Sequence, residues 1–325
     1  MKKIALKGGS LSSTTLIISG RKKFVRKEIS LKLNREYGYQ RWYSQLKRIQ
    51  RYNKLFPRLF PKLLDFGISK KDKAYFDIQY IENSLSGYEF LFRERNKKKI
   101  DKFFKNLIKS MNVMHCQKLD GSQNSIHLYL KEEVDKKIND CMINRSIKNE
   151  LSLDFFIINK KKVPNILRKI DKYKKIFISN FTSQNECFTH GNITLENMVY
   201  NSKKNSLFFI DPYDENVIDT KLAEYSQILQ SSNFKYEYLN SNNNIKIEHL
   251  NYKNGLLDGV NYFNMLFNKF LKRSLTKKNL KVVKLFEISQ FIRMLPFKLQ
   301  VNKKSMIKFT MVASLLFEKY LDEYR

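Results

Sequence analysis

The chain has 325 residues, 42% of them hydrophobic, with 25 Phe and 18 Tyr. That is enough apolar surface to bury a core and to exclude a disordered polybasic chain despite a formal net charge of +31. Only 10 Gly and 5 Pro exclude collagen-like and linker-type repeats, and Cys116, Cys141 and Cys187 lack the C-x-x-C spacing of a disulfide framework or zinc cluster.

Such cysteines predict reduced, buried thiols and a cytoplasmic setting. Lys2 and Lys3 are followed by only Ile4, Ala5 and Leu6 before Gly8 and Gly9, too short an apolar stretch for a signal peptide. Residues 8–13 read as a small-residue loop. The β-branched and apolar runs at 14–19 and 24–33 predict two strands joined by a turn over Ser19-Gly20-Arg21-Lys22. Residues 34–55 change to helical period, with Tyr39, Trp42, Tyr43, Leu46, Ile49 and Leu55 near one face, and Pro57 and Pro61 end the helix. Residues 62–66 and 74–81 predict two more strands around a turn at 67–73.

Beyond that small mixed sheet the pattern becomes helical at 100–118, 128–147, 166–177 and 254–320. Two short apolar runs, 197–200 and 206–210, interrupt it and predict a hairpin around Asn201-Ser202-Lys203-Lys204-Asn205. Asn240-Ser241-Asn242-Asn243-Asn244 reads as a loop. No apolar run, 311–317 included, approaches the ~20 residues of a membrane span. The expected division is a first lobe over 1–82 and a second over 83–325.

Lysine clusters at 97–99, 160–162, 174–175, 203–204, 277–278 and 303–304 are spread along the whole chain. That distribution reads as solvated faces and compositional drift rather than one nucleic-acid footprint. Association with an anionic membrane face remains a second use for the charge.

The chemistry is concentrated between Cys187 and Pro212. A His190-Gly191-Asn192 turn, Asn197 five residues later, and Asp211 at the end of the next apolar run set an amide beside a carboxylate. Hard divalent cations such as Mg²⁺ take such oxygen ligands next to nucleotide phosphates.

On these residues the chain resembles the protein-kinase-like superfamily in its aminoglycoside phosphotransferase and choline kinase branch, where the motif reads His-Gly-Asp, four residues, Asn, then Ile-Asp. The Ile210-Asp211-Pro212 ending, the 219–226 segment and the 288–296 segment make it look most like phosphotransferase-type proteins of capsule and surface-polysaccharide synthesis. The resemblance implies an α+β, bilobal kinase-like fold, with ATP and Mg²⁺ as cofactors and a small-molecule hydroxyl, a sugar or amino alcohol, as acceptor. Asn197 and Asp211 would hold the metal. Lys27 would meet the α/β-phosphates, with Arg26 as the alternative on the opposite strand face, and Glu36 would pair with that lysine. Gly8, Gly9 and Ser10 would cover the phosphates, and Gln79, Tyr80 and Ile81 would contact adenine at the hinge. His190 is expected to pack and hydrogen-bond, and Asp219 to accept backbone hydrogen bonds from the 190–192 loop.

One position departs from the family. Asn192 stands where the family has the Asp that accepts the proton of the attacking hydroxyl, and an amide takes up no proton near pH 7. The residue predicts a slow kinase or a nucleotide-binding pseudokinase, unless Asp214 or Glu215 substitutes. A basic protein binding nucleic acid or a membrane surface is the third reading.

Overall fold

Alternating apolar and polar residues at the N-terminus build an antiparallel sheet backed by one helix. A computed structural model describes residues 1–6, 12–32, 35–69, 72–119, 125–144, 147–182, 186–213, 216–241 and 257–324. Gly8, Gly9, Ser10, Asp214, Glu215, His249 and most of the 240–244 stretch lie outside the described residues.

The sheet contains β1 (Lys2–Leu6), β2 (Ser12–Ser19), β3 (Lys22–Ser30), β4 (Leu63–Ser69) and β5 (Lys73–Gln79), ordered β1-β2-β3-β5-β4, and α1 (Arg35–Leu55) falls between β3 and β4 in the chain. Gly20, at φ +57°, makes the β2–β3 turn in a backbone region that a side chain disfavours. Sequence reading missed β1 because all five of its residues are exposed, leaving no alternation to detect.

Ile29, Leu31, Ala74 and Phe76 of the sheet side pack against Trp42, Leu46 and Ile49 of α1, and Trp42 Nε1 donates to the Tyr75 carbonyl at 3.1 Å. The buried stripe is narrower than expected. Tyr39, Tyr43 and Leu55 are exposed, the two tyrosines stacking on each other at 5.9 Å.

The remaining chain is mostly helical. In order it forms β6 (Leu85–Ser86), α2 (Gly87–Arg93), α3 (Lys97–His115), β7 (Lys118–Leu119) and α4 (Ser125–Leu130). A single π-turn over Lys131–Asp135 leads into α5 (Lys136–Met142), α6 (Lys148–Leu151), β8 (Phe155–Ile158) and β9 (Lys161–Pro164). Then come α7 (Ile170–Asn180), β10 (Glu186–Cys187), β11 (Met198–Asn201) and β12 (Ser206–Phe209). The chain ends in α8 (Lys221–Ser232), α9 (Tyr236–Ser241), α10 (Asp258–Ser274), α11 (Lys277–Ile292), α12 (Leu295–Val301) and α13 (Lys303–Tyr324).

Two expectations are corrected here. The helix expected over 128–147 is broken by the π-turn that buries Glu133 and Val134. The β8–β9 hairpin was not anticipated; Asn159 and Lys160 form its two-residue turn at φ +51° and +63°, the mirror-image type that suits strand twist, without the usual glycine.

A large aromatic core fills this helical body. Phe103, Phe177, Phe263, Phe267, Phe286, Phe291 and Phe309 are all essentially inaccessible. Tyr52, Phe56 and Phe60, at the end of α1 and just beyond it, belong to this core rather than to the sheet's own, so α1 is a strut between the two layers. Among the described residues no helix is long and apolar enough to cross a membrane.

The three cysteines are free, but Cys116 is exposed, against expectation. Burial pushes the thiols of Cys141 and Cys187 up to about 12, which leaves them unreactive at neutral pH.

Helix α10 approaches the backbone of α2 so closely at Gly259 that a Cβ would be driven into the carbonyl oxygens of Leu91 and Glu94. Backbone cannot yield as a flexible side chain does. Gly259→Ala should therefore destabilise the fold by about 3 kcal/mol, the upper range for overpacking, read as a lower urea midpoint at unchanged slope; wild-type stability would show that the helices separate freely.

Candidate active site

The 187–197 segment runs from β10 across the middle of the molecule to β11. Gly191 takes φ +78°, and an added Cβ would crowd Tyr213 and Asn216, so the turn that aims Asn192 depends on this glycine.

His190 is wholly buried and clamps two chain segments. Its Nε2 bonds the Ile210 carbonyl at 2.8 Å, and its Nδ1 accepts the Asn192 N–H at 3.3 Å. That pairing assigns the neutral Nε2–H tautomer. Burial lowers its pKa to about 4. The ring stacks on Phe60 at 6.1 Å, and its role is to hold the Asn192 turn beside the strand end that carries Asp211.

Helix α8 supports the loop from behind with one row of polar side chains. Glu224 accepts the His190 N–H and also contacts His115 Nε2. Gln227 accepts the Ile193 N–H at 2.9 Å and donates to the Gly191 carbonyl at 2.6 Å, and Ser231 Oγ accepts the Leu195 N–H at 3.1 Å. Spacings of three and four residues put these groups on one helix face.

Asp219 works differently from the expectation. Its carboxylate accepts from Thr189 Oγ1 at 2.6 Å, Asn216 Nδ2 at 2.7 Å and Arg48 Nη2 at 3.2 Å. The backbone hydrogen bond from the 190–192 turn goes instead to Glu224.

Asn197 Nδ2 donates to the Asn192 carbonyl at 2.8 Å, which fixes the amide plane and leaves Oδ1 as the oxygen available to a ligand. Asp211 lies beyond β12 at φ +59°, an uncommon conformation for a residue with a side chain and one that marks functional sites. Ile210 N–H donates to the Asn197 carbonyl at 3.0 Å, so the two segments are tied together. One carboxylate and one amide oxygen are a donor set suited to a hard, oxygen-seeking cation such as Mg²⁺ and unsuited to a soft metal. Among the described residues no cluster of three or more His, Cys, Asp or Glu side chains able to hold a metal occurs.

Lys27 forms an ion pair with Asp211 Oδ1 across 184 positions of sequence. Burial alone would raise the Asp211 carboxyl pKa, but Lys27 and the Gln45 amide outweigh it and hold that pKa below the usual range. Arg26, on the opposite face of β3, makes a two-pronged pair with Asp77 at 2.7 Å for each bond and covers the Tyr75 ring at 4.2 Å, which ties it into the sheet and removes it as the phosphate-side alternative.

Glu36 is not the partner of Lys27. It lies exposed in the first turn of α1, where it accepts from Gln40 at 3.3 Å. The α1 side chain that reaches the pair is Gln45, donating to Asp211 Oδ1 at 2.6 Å and to the Pro212 carbonyl at 3.3 Å. One and two turns on, Arg48 and Tyr52 donate to the Thr189 carbonyl.

Gln79 ends β5, exposed, with its N–H on the Lys62 carbonyl at 2.8 Å. Tyr80 and Ile81 are half-buried in the segment that crosses to the helical body. The Ile81 carbonyl accepts from Ser84 Oγ at 2.6 Å, and Asn201 Nδ2 donates to the Glu82 carbonyl at 2.8 Å.

No protein-family model matches the chain, and none of the curated proteins searched matches it. Solved structures do. A thermostable mutant of aminoglycoside phosphotransferase APH(4)-Ia, in a ternary complex with AMP-PNP and hygromycin B, superposes with a TM-score of 0.63 at 7% identity, over 98% of this chain and 94% of its own. The GDP and kanamycin complex of APH(2")-IIia gives 0.59 at 13% identity, over 99% and 94%. The chain has the bilobal, α+β, protein-kinase-like fold of these phosphotransferases.

Proposed function

We propose that the protein is a phosphotransferase that moves the γ-phosphoryl group of ATP, with Mg²⁺, to a hydroxyl of a small acceptor. The acceptor class is a sugar or amino alcohol, the setting is surface-polysaccharide synthesis, and the lobes divide at residue 82. The observation that carries the reading is the ion pair of Lys27 with Asp211 across 184 positions of sequence, with the Asn197 segment tied beside it by the Ile210 N–H on the Asn197 carbonyl at 3.0 Å. Lys27 supplies a cation for the α/β-phosphates, and Asn197 Oδ1 with Asp211 would hold the metal, which neutralises charge developing on the transferred group. Phosphotransferases of the same fold bind AMP-PNP with hygromycin B and GDP with kanamycin, which supports a nucleotide donor and a hydroxyl-bearing acceptor.

The second reading, a nucleotide-binding pseudokinase, is favoured by a single residue, Asn192, at the acceptor side of the loop. The two diverge in experiment. Thermal stabilisation by ATP or GTP with Mg²⁺, lost in Asp211→Ala, is expected under both. Phosphoryl transfer to one of a panel of sugars and amino alcohols is expected only under the first. Absence of stabilisation by either nucleotide in wild type would overturn both.

A further inference from the structure

The lysines are scattered along the sequence, but the fold gathers two stretches that lack acids. Residues 102–119 hold four Lys, residues 259–286 hold six Lys and Arg273, and neither stretch contains Asp or Glu. The first covers most of α3 together with β7; the second covers α10 beyond its first residue, the turn at Leu275 and Thr276, and most of α11. The ring of Phe104 meets those of Phe263 and Phe270 at 6.1 and 6.3 Å, so α3 and α10 lie side by side.

Between them runs an open groove of about 510 Å³, lined by Phe104, Ile108, Val113, Cys116 and Phe270, with Lys105 and Lys109 on its wall. Val113 is 46% exposed there. Lys269 and Lys272 flank Phe270 on α10, and Lys277 and Lys278 open α11; all six of these lysines are exposed. The helix dipole opposes cations in a first turn, so α11 itself gains nothing from Lys277 and Lys278. The ion pairs made by α3 and α11 run instead from Lys99 to Glu94 and from Lys284 to Glu287, and among the described residues the six lysines make none.

We propose that this face docks on an anionic lipid bilayer. The lysines take lipid phosphates, and the groove takes apolar lipid segments that reach it at the level of the headgroups. A nucleic acid would satisfy the cations equally but brings no apolar segment for the groove. The face shares no residue with the Lys27, Asn197 and Asp211 centre. It therefore stands apart from the nucleotide reading, and failure to bind nucleotide leaves it untouched.

Cys116 supplies the probe. Its thiol is exposed, while burial holds those of Cys141 and Cys187 up at about 12, so a thiol-reactive, environment-sensitive fluorophore marks the groove selectively. The full chain, labelled and unlabelled, is mixed with vesicles of phosphatidylcholine alone and of equal parts phosphatidylcholine and phosphatidylglycerol. Co-sedimentation should favour the anionic vesicles by about tenfold or more and weaken as salt screens the charges. The label should shift to the blue with the anionic vesicles. Lys269→Glu, Lys272→Glu, Lys277→Glu and Lys278→Glu together should weaken binding by about tenfold or more, whereas Lys2→Glu, Lys3→Glu, Arg21→Glu and Lys22→Glu, exposed on the N-terminal sheet, should leave it within about threefold of wild type.

No binding of wild type to the anionic vesicles overturns the proposal. Equal losses in the two variants would show that net charge alone acts, and bound protein with an unshifted label would show that another face docks; either result overturns it. So does a DNA duplex that displaces wild type from the vesicles at equal phosphate concentration, which would make the face a nucleic-acid site. If the α10–α11 variant does not fold, the Cys116 label on the wild-type sequence decides the matter.

Discussion

Under the proposed phosphotransferase function, an Asn192→Asp variant is expected to transfer phosphoryl groups about 10²- to 10⁴-fold faster than wild type, the usual contribution of a positioned general base. The substitution should be nearly silent structurally. What fixes residue 192 is backbone: its N–H donates to His190 Nδ1 at 3.3 Å, and its carbonyl accepts from Asn197 Nδ2 at 2.8 Å and from the Thr194 N–H at 2.9 Å. None of these bonds involves the atom that changes. The new oxygen would be a proton acceptor in the same place, where the amide only accepts a hydrogen bond.

The loose transition state of phosphoryl transfer sets the lower limit, because a late deprotonation leaves less for a base to do. Steady-state turnover with the best acceptor from the panel measures the effect. Unchanged turnover in a variant that still binds nucleotide would place the proton acceptor elsewhere. Acceleration that is cancelled by adding Asp211→Ala would tie the gain to the Lys27, Asn197 and Asp211 centre.

Much of the site could be read from the chain because its members sit in local patterns. His190 to Asn192, Asn197 and Asp211 occupy a turn, a strand entry and a strand exit within about two dozen residues, and hairpin geometry brings such positions together. Lys27 was legible from its strand.

Gln45 was not singled out, although a signal existed. It lies three residues after Trp42 and one before Leu46, a polar side chain in the buried stripe of an amphipathic helix, and such a residue needs a partner. The polar row of Glu224, Gln227 and Ser231 in helix α8, buried from Leu222 onward, carried the same kind of signal. Glu36 misled because a carboxylate at a helix start has its own local reason to be there, the helix dipole. The general lesson is chemical: a polar residue on an apolar stripe points to a tertiary partner, but the partner's identity comes from topology that the sequence pattern does not contain.

Acid stability should depend on two buried groups, His190 and Glu237. His190 is kept neutral by burial, its pKa lowered from the ordinary 6.5 to about 4. Between those values the unfolded chain binds a proton that the folded one does not. His190 therefore contributes fully above pH 6.5, and its contribution is lost as pH falls toward 4.

Glu237 does the reverse. Burial raises its carboxyl from 4.5 to about 7, and the charges of Glu196 act in the same direction, while the Ser231 hydroxyl on Oε1 at 2.6 Å partly opposes them. Its folded form keeps a proton that the unfolded one releases, so its contribution is full below pH 4.5 and is lost as pH rises toward 7.

Each shift corresponds to about 3 kcal/mol, and from pH 4.5 to 6.5 the two slopes cancel. Asp211, held low by its partners, titrates below this window. Glu237→Gln keeps a hydrogen-bonding side chain on Ser231 but removes one arm of the balance. Its urea stability should exceed that of wild type at pH 7, and this advantage should shrink on acidification through the window by about 1.4 kcal/mol per pH unit, the slope of one proton. An advantage that does not change with pH would mean that burial does not hold the Glu237 proton in the folded state.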